Sequence, residues 1–272
     1  MKVYTLNVGQ GQFVVVVGNT DAVIIDTYVP LNPGNDIVNV KGALATILAG
    51  KHLVGLIVTG FDADHFNEVG IKIVLNKYRP DWIMYPKYFK ATTNADACFA
   101  AIRSFEGQKV FRKVSVSLSQ NDSRFYNVLS TDFVFEIFSP HSDDMNSSNN
   151  CSLVCMIAEK TGGAKYLVTG DTENDRWASI VRYFGSSLHA QVLAAPHHGS
   201  DNGISVEAIK RISPHTVIVS AGVGNQYGHP DAGTAQLFEQ YSTCWYSTSH
   251  GGGQSLVTTV TSVDATTYLF KS

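Results

Sequence analysis

No apolar run in this chain approaches the roughly 20 residues needed to cross a bilayer, so no membrane span is expected. No secretory leader is visible either: Met1-Lys2-Val3-Tyr4-Thr5-Leu6-Asn7 passes straight into a strand-like pattern. Basic charge is scarce. Lys and Arg number 20 against 23 Asp and Glu, a formal net charge of −3, which removes any global electrostatic signal for nucleic acid. A local patch, or a partner protein, would have to supply phosphate contacts. The four cysteines, Cys98, Cys151, Cys155 and Cys244, form no CxxC pair, and read as buried thiols in a reducing, cytoplasmic compartment. Against these absences, 272 residues with 44% hydrophobic content can bury a sizeable core, expected as one domain over residues 1–272.

The chemistry present sits at the ends of apolar runs. Leu53-Val54-Gly55-Leu56-Ile57-Val58-Thr59 reads as a buried strand, and Asp62, Asp64 and His65 follow at its exit. Leu167-Val168-Thr169-Gly170-Asp171 repeats the arrangement, as does Val192-Leu193-Ala194-Ala195-Pro196-His197-His198. Three strand ends carrying hard oxygen and imidazole donors point to a shared sheet edge where ligands converge on a cation. The candidate ligands are Asp62, Asp64, His65, Asp171, His197 and His198, with one of the two adjacent histidines ligating and the other making a supporting hydrogen bond. The plainer reading makes Asp64 and Asp171 helix N-caps. His229, in Gly-His-Pro, is a candidate for phosphate contact or proton donation. Asn149, Asn150 and Ser152 are candidates for lining the site, and Asp26 for tying its loops together.

Periodicity places strands near 2–8, 12–18, 21–27, 53–59 and 81–85, with helices over 37–49, 66–77 and 95–105. Residues 91–128 carry no strong chemistry, and 141–150 reads as a loop. Strands near 151–159, 165–169, 189–194 and 216–220 then alternate with helices near 174–184, 203–212 and 231–240, before two closing strands. This order fits two packed sheets covered by helices, an α/β architecture.

Seven motifs carry a family resemblance in order: Asn7-Val8-Gly9-Gln10-Gly11-Gln12, Ile24-Ile25-Asp26-Thr27-Tyr28, Thr59-Gly60-Phe61-Asp62-Ala63-Asp64-His65, Asn149-Asn150-Cys151-Ser152-Leu153-Val154, Thr169-Gly170-Asp171, Pro196-His197-His198-Gly199-Ser200 and Tyr227-Gly228-His229-Pro230. Together the chain resembles the metallo-β-lactamase superfamily, and within it the hydrolase domain attached to the bacterial DNA-uptake channel ComEC, without the channel part. The resemblance implies a four-layer αβ/βα sandwich and a divalent metal centre of one or two ions, zinc or manganese. Asp64 and His65 would be ligands, with Asp171 as a bridge and His197 or His198 as a further ligand. The implied activity is a metal-dependent hydrolase, a phosphodiesterase or nuclease using a metal-activated water, with Asp64, His198 and His229 in the chemistry and nucleic acid as substrate. A protein partner would bring that substrate. Gly60 stands where the superfamily pattern has a histidine. One alternative is therefore a catalytically degenerate binding or regulatory module; the lack of a strong basic signal permits another, a hydrolase of esters, lactones or amides.

Overall fold

Alternation along the strands sets the layering. Successive side chains of a strand face opposite ways: Val14 and Val16 enter the interior between two sheets, whereas Val15 and Val17 pack under helices. Leu167 and Tyr166 divide in the same manner on the other sheet. The computed structural model describes residues 1–142 and 147–271, so the loop expected over 141–150 lies in part, at 143–146, outside the described residues.

The first half runs through β1 (Lys2–Thr5), β2 (Val14–Val17), β3 (Asp21–Ile25), α1 (Val40–Ile47), β4 (His52–Ile57), α2 (Glu68–Tyr78), β5 (Trp82–Pro86), α3 (Thr93–Glu106) and β6 (Arg112–Val116). The second runs through β7 (Arg124–Tyr126), β8 (Phe133–Ser139), β9 (Val154–Glu159), β10 (Lys165–Val168), α4 (Asn174–Phe184), β11 (Val192–Ala194), α5 (Val206–Ile212), β12 (Thr216–Val219), α6 (Ala232–Tyr241) and β13 (Cys244–Ser247). The closing hairpin, β14 (Ser255–Val260) and β15 (Ala265–Phe270), returns to the first sheet. The sheet orders are β15-β14-β1-β2-β3-β4-β5-β6 and β13-β12-β11-β10-β9-β8-β7. In each sheet an antiparallel meander gives way to parallel strands joined by crossover helices, at β3–β6 and β10–β13.

One apolar interior, with Trp82, Phe133, Phe135 and Tyr166, lies between the sheets, and the two outer clusters lie under α1–α3 and α4–α6. The result is the four-layer αβ/βα sandwich. Three strands depart from the sequence expectation: β6 and β7 lie in the stretch 91–128, where only a helix is expected, and β8 has no counterpart among the expected strands. β6 is half-exposed and β7 has only three residues at a sheet edge, so neither carries a strong apolar period. Among the described residues no helix is long and apolar enough to cross a membrane.

Asp21, at the start of β3, ties the first sheet to the turn before β8. Its Oδ2 accepts from Ser130 Oγ (2.7 Å), Thr131 N (2.6 Å) and Thr131 Oγ1 (2.9 Å). Burial opposes the charge, but these donors hold the carboxyl below its ordinary pKa. Asp21→Ala should cost about 2 kcal/mol in urea unfolding, because it strands those donors. Since the folded pKa is the lower one, the wild-type advantage is full above about pH 3.9 and fades as pH falls through the folded value. An unchanged unfolding midpoint at neutral pH would refute this role.

Candidate metal centre

The site lies at the carboxyl ends of the parallel strands, where an open α/β sheet leaves room for ligands. The chain leaving β4 supplies Asp64 and His65, that leaving β10 supplies Asp171, and that leaving β11 supplies His198. One donor atom from each lies within 4.8 Å of the others. The two parts of the chain thus contribute a carboxylate and an imidazole each.

Neither carboxylate is a helix cap. Asn67 caps α2 by accepting from Gly70 N (3.0 Å), and Glu173 stands at the N-terminus of α4. Asp171 is instead positioned from behind, its N–H donating to Ser152 Oγ (2.9 Å). The β11 turn is held against it by His197 N, which donates to Gly170 O (3.0 Å). His197 and His198 both adopt left-handed backbone, φ +49° and +54°, which costs about 1–2 kcal/mol each for residues with a Cβ. Gly199 follows at φ +81°, where a Cβ would come within 2.8 Å of Pro230.

Hydrogen bonds fix the tautomers. His198 Nδ1 lies 2.7 Å from Ser220 O, an acceptor only, so Nδ1 carries the proton and the Nε2 lone pair faces the site. His65 Nδ1 lies 2.8 Å from Asp26 Oδ2, with the same consequence. Asp26 is fully buried and also accepts from Thr59 N (2.7 Å), Thr59 Oγ1 (2.6 Å) and Gln12 Nε2 (2.9 Å). It locks the strand end, the first turn and the imidazole to one carboxylate. A carboxylate or carbonyl behind each ligating histidine is the usual support of a metal centre.

His65 Nε2 and Asp171 Oδ1 are 2.8 Å apart, and His198 Nε2 lies 3.5 Å from Asp64 Oδ2 and 3.7 Å from Asp171 Oδ1. His65 Nε2, His198 Nε2 and Asp171 Oδ1 are all buried, and none has a hydrogen-bond partner outside this group. Buried polar atoms are ordinarily bonded to their surroundings. Here all three converge on one region, the arrangement that donors around a cation adopt, so this residue set fits a divalent ion. The electrostatics agree. Burial disfavours charge on His65, but the carboxylates of Asp171 and Asp26 hold its pKa well above the ordinary value. Burial acts against His198 too, and Asp171 and Asp64 raise it. Burial likewise opposes the charge on Asp171, which the imidazoles of His65 and His198 pull well below the carboxylate range. Each imidazole is thus held toward its charged form, so a divalent ion binding here would displace a proton from Nε2.

Asp62 and His197 stand beside this group rather than in it. Asp62 pairs with Lys90, and His197 Nδ1 lies 3.1 Å from Asn202 Oδ1. Both line a cavity of about 570 Å³ with Asp64, Asp171, His198 and His229. Gln10 Oε1 accepts from Gly222 N (3.1 Å), which orients Gln10 Nε2 to donate to His229 Nδ1 (3.4 Å). Burial, with the charges of His198 and His197, lowers the His229 pKa, so its ring is neutral at neutral pH with the proton on Nε2. Asn149 lines the cavity and donates to Glu173 Oε1 (2.8 Å), while Asn150 Oδ1 accepts from Glu173 N (3.1 Å). A Cβ at Gly60 would meet only Ser152 Oγ, at 3.9 Å, so crowding does not explain the missing side chain there. Lys90 escaped the sequence reading. It lies outside every motif, 25 positions beyond His65, and only the folded chain brings it to the site.

No family model matches the chain. It is 31% identical over 203 residues to ComE operon protein 3 of Bacillus subtilis, an alignment covering 74% of this chain and 24% of that protein. The chain therefore spans about a quarter of that relative's length. Among solved structures, Igni18, a metallo hydrolase from the archaeon Ignicoccus hospitalis, aligns over 100% of both chains with a TM-score of 0.50 at 13% identity. CmlA, a diiron β-hydroxylase from Streptomyces venezuelae, aligns over 89% of this chain and 52% of its own with a TM-score of 0.54 at 12% identity. The metallo-β-lactamase fold and the likeness to ComEC-type proteins are thus present in this chain.

Proposed function

We propose that this chain is a metal-dependent hydrolase of phosphodiesters, with nucleic acid as the substrate class. The observation that carries it is the convergence of three buried atoms, His65 Nε2, Asp171 Oδ1 and His198 Nε2, that have no partner outside their own group, beside a cavity lined by Asp171 and His198. Asp64, His65, Asp171 and His198 would hold the ion, and two carboxylates with two imidazoles suit zinc or manganese. When bound, such an ion lowers the pKa of a water from about 15.7 to about 7 and offsets charge on an attacked phosphoryl oxygen. The chain's own groups do the rest. Asp26 and Ser220 O hold the two imidazoles in the ligating tautomer. His229, neutral and protonated on Nε2, lines the cavity wall as a hydrogen-bond donor for a substrate oxygen. The likeness to the hydrolase domain of a DNA-uptake channel supports the substrate class, and a partner protein would deliver the strand.

The test is a substrate panel on protein loaded with Mn²⁺ or Zn²⁺: single- and double-stranded DNA, RNA, bis-p-nitrophenyl phosphate, a p-nitrophenyl ester and a lactone. Cleavage of phosphodiesters that disappears on chelation is the expected result. Loaded protein that cleaves only the ester or lactone would move the chemistry to acyl transfer. A loaded protein inert to the whole panel would favour a binding module, the reading that Gly60 supports.

A further inference from the structure

Lys90 occupies an unusual place. It lies between β5 and α3, and its neighbour Phe89 packs against Phe61 of the ligand loop (ring centroids 5.9 Å) and Phe99 of α3 (5.0 Å). That aromatic contact fixes the segment against the loop bearing Asp62 and Asp64. The Lys90 ammonium pairs with Asp62, lies 3.4 Å from Ser148 Oγ, and lines the same cavity as the metal ligands. Its side chain is 38% exposed, so the charge faces the open space. An ammonium has three donors. Asp62 and Ser148 engage two, which leaves one for a group entering the cavity. Among the described residues lining that cavity, Lys90 is the one Lys or Arg.

Two further facts bear on the same place. Gly60 offers no donor, although its surroundings would admit a side chain. Asp62 is engaged with a cation already, and among the described residues the donor atoms form one metal-capable group, without Asp62. A second ion would have to displace Lys90 to gain a carboxylate there.

We propose that the centre holds a single ion and that the Lys90 ammonium, positioned by Asp62, is its second positive charge, binding an anionic oxygen of the substrate across the cavity from that ion. The inference rests on the phosphodiester reading above and names the residue that takes the phosphoryl oxygen. A charged donor on a phosphate oxygen is a strong contact, and unlike an ion it cannot be removed by a chelator.

The experiment uses metal-loaded protein of residues 1–272 and inorganic phosphate as the probe. Metal content is read by mass spectrometry and phosphate affinity by calorimetry, for wild type, Lys90→Met and Lys90→Arg. Met keeps the apolar stem and Arg keeps the charge, and matching melting curves establish that both variants fold. The expected result is one equivalent of metal in all three proteins, with phosphate binding weakened about tenfold or more in Lys90→Met and largely restored in Lys90→Arg. Two equivalents of metal in wild type would overturn the proposal. So would phosphate affinity unchanged in Lys90→Met, or no phosphate binding by the loaded wild type. Gain of a second ion in Lys90→Met with phosphate affinity retained would reduce Lys90 to a counter-charge for Asp62. A loaded wild type that binds phosphate through Lys90 yet cleaves no phosphodiester would instead defeat the proposed activity and leave this inference standing.

Discussion

Asp171→Ala is expected to empty the metal centre and to lower hydrolysis by at least about a hundredfold, since even residues one shell further from an ion cost up to that much. Asp171 is the pivot of the four-residue group. Its Oδ1 faces both imidazoles, 2.8 Å from His65 Nε2 and 3.7 Å from His198 Nε2. No other carboxylate in the group reaches both at comparable distance, because Asp64 is placed against His198. Removing it leaves two imidazoles and a half-buried carboxylate from two loops. Mass spectrometry of metal content, paired with a melting curve, separates loss of the ion from loss of the fold. Asp171→Ala that keeps one equivalent of metal would show that the ion sits elsewhere.

The second large effect is expected at Asp26, which touches no ion. Its carboxylate accepts from Thr59 N, Thr59 Oγ1, Gln12 Nε2 and His65 Nδ1. Asp26→Ala leaves four buried donors facing an apolar void. Cutting a buried charged partner out of such a knot costs about 3–5 kcal/mol. The same change frees the His65 ring to rotate, so metal affinity should fall about 10- to 100-fold. Denaturant unfolding of metal-free protein reads the first quantity and a metal titration below the unfolding range reads the second. Stability within experimental error of wild type would refute the keystone role. A stability loss with unaltered metal affinity would show that His65 is held in place by other contacts.

The places where sequence and fold diverge have physical causes. Asp64, His65, Asp171 and His198 could be picked out because each follows a buried parallel strand, and strand exits are where such sheets expose polar groups. Whether Asp62 and His197 joined them could not be read from the chain, since spacing within a loop says nothing about which way each side chain turns. The fold directs one to Lys90 and the other to Asn202. Lys90 was out of reach altogether, because an isolated lysine near aromatics looks like any surface lysine until α3 folds back. The strand β8 is a different case. Phe133, Phe135 and Ile137 alternate with half-buried Val134 and Glu136, a period-two signal that was present but lay next to a polar stretch. The layered architecture was more legible, since the crossover helices leave a 3.6-residue period between apolar strands.

The donor set is divided between segments far apart in the chain, with Asp64 and His65 on one side and Asp171 and His198 on the other. During synthesis, a nascent chain that has passed residue 65 owns half a chelate and nothing more. The remaining half comes more than a hundred residues later, and only after the second sheet has settled on the first. A complete donor set therefore requires the two sheets to be docked, and metal uptake by a refolding chain would report that docking.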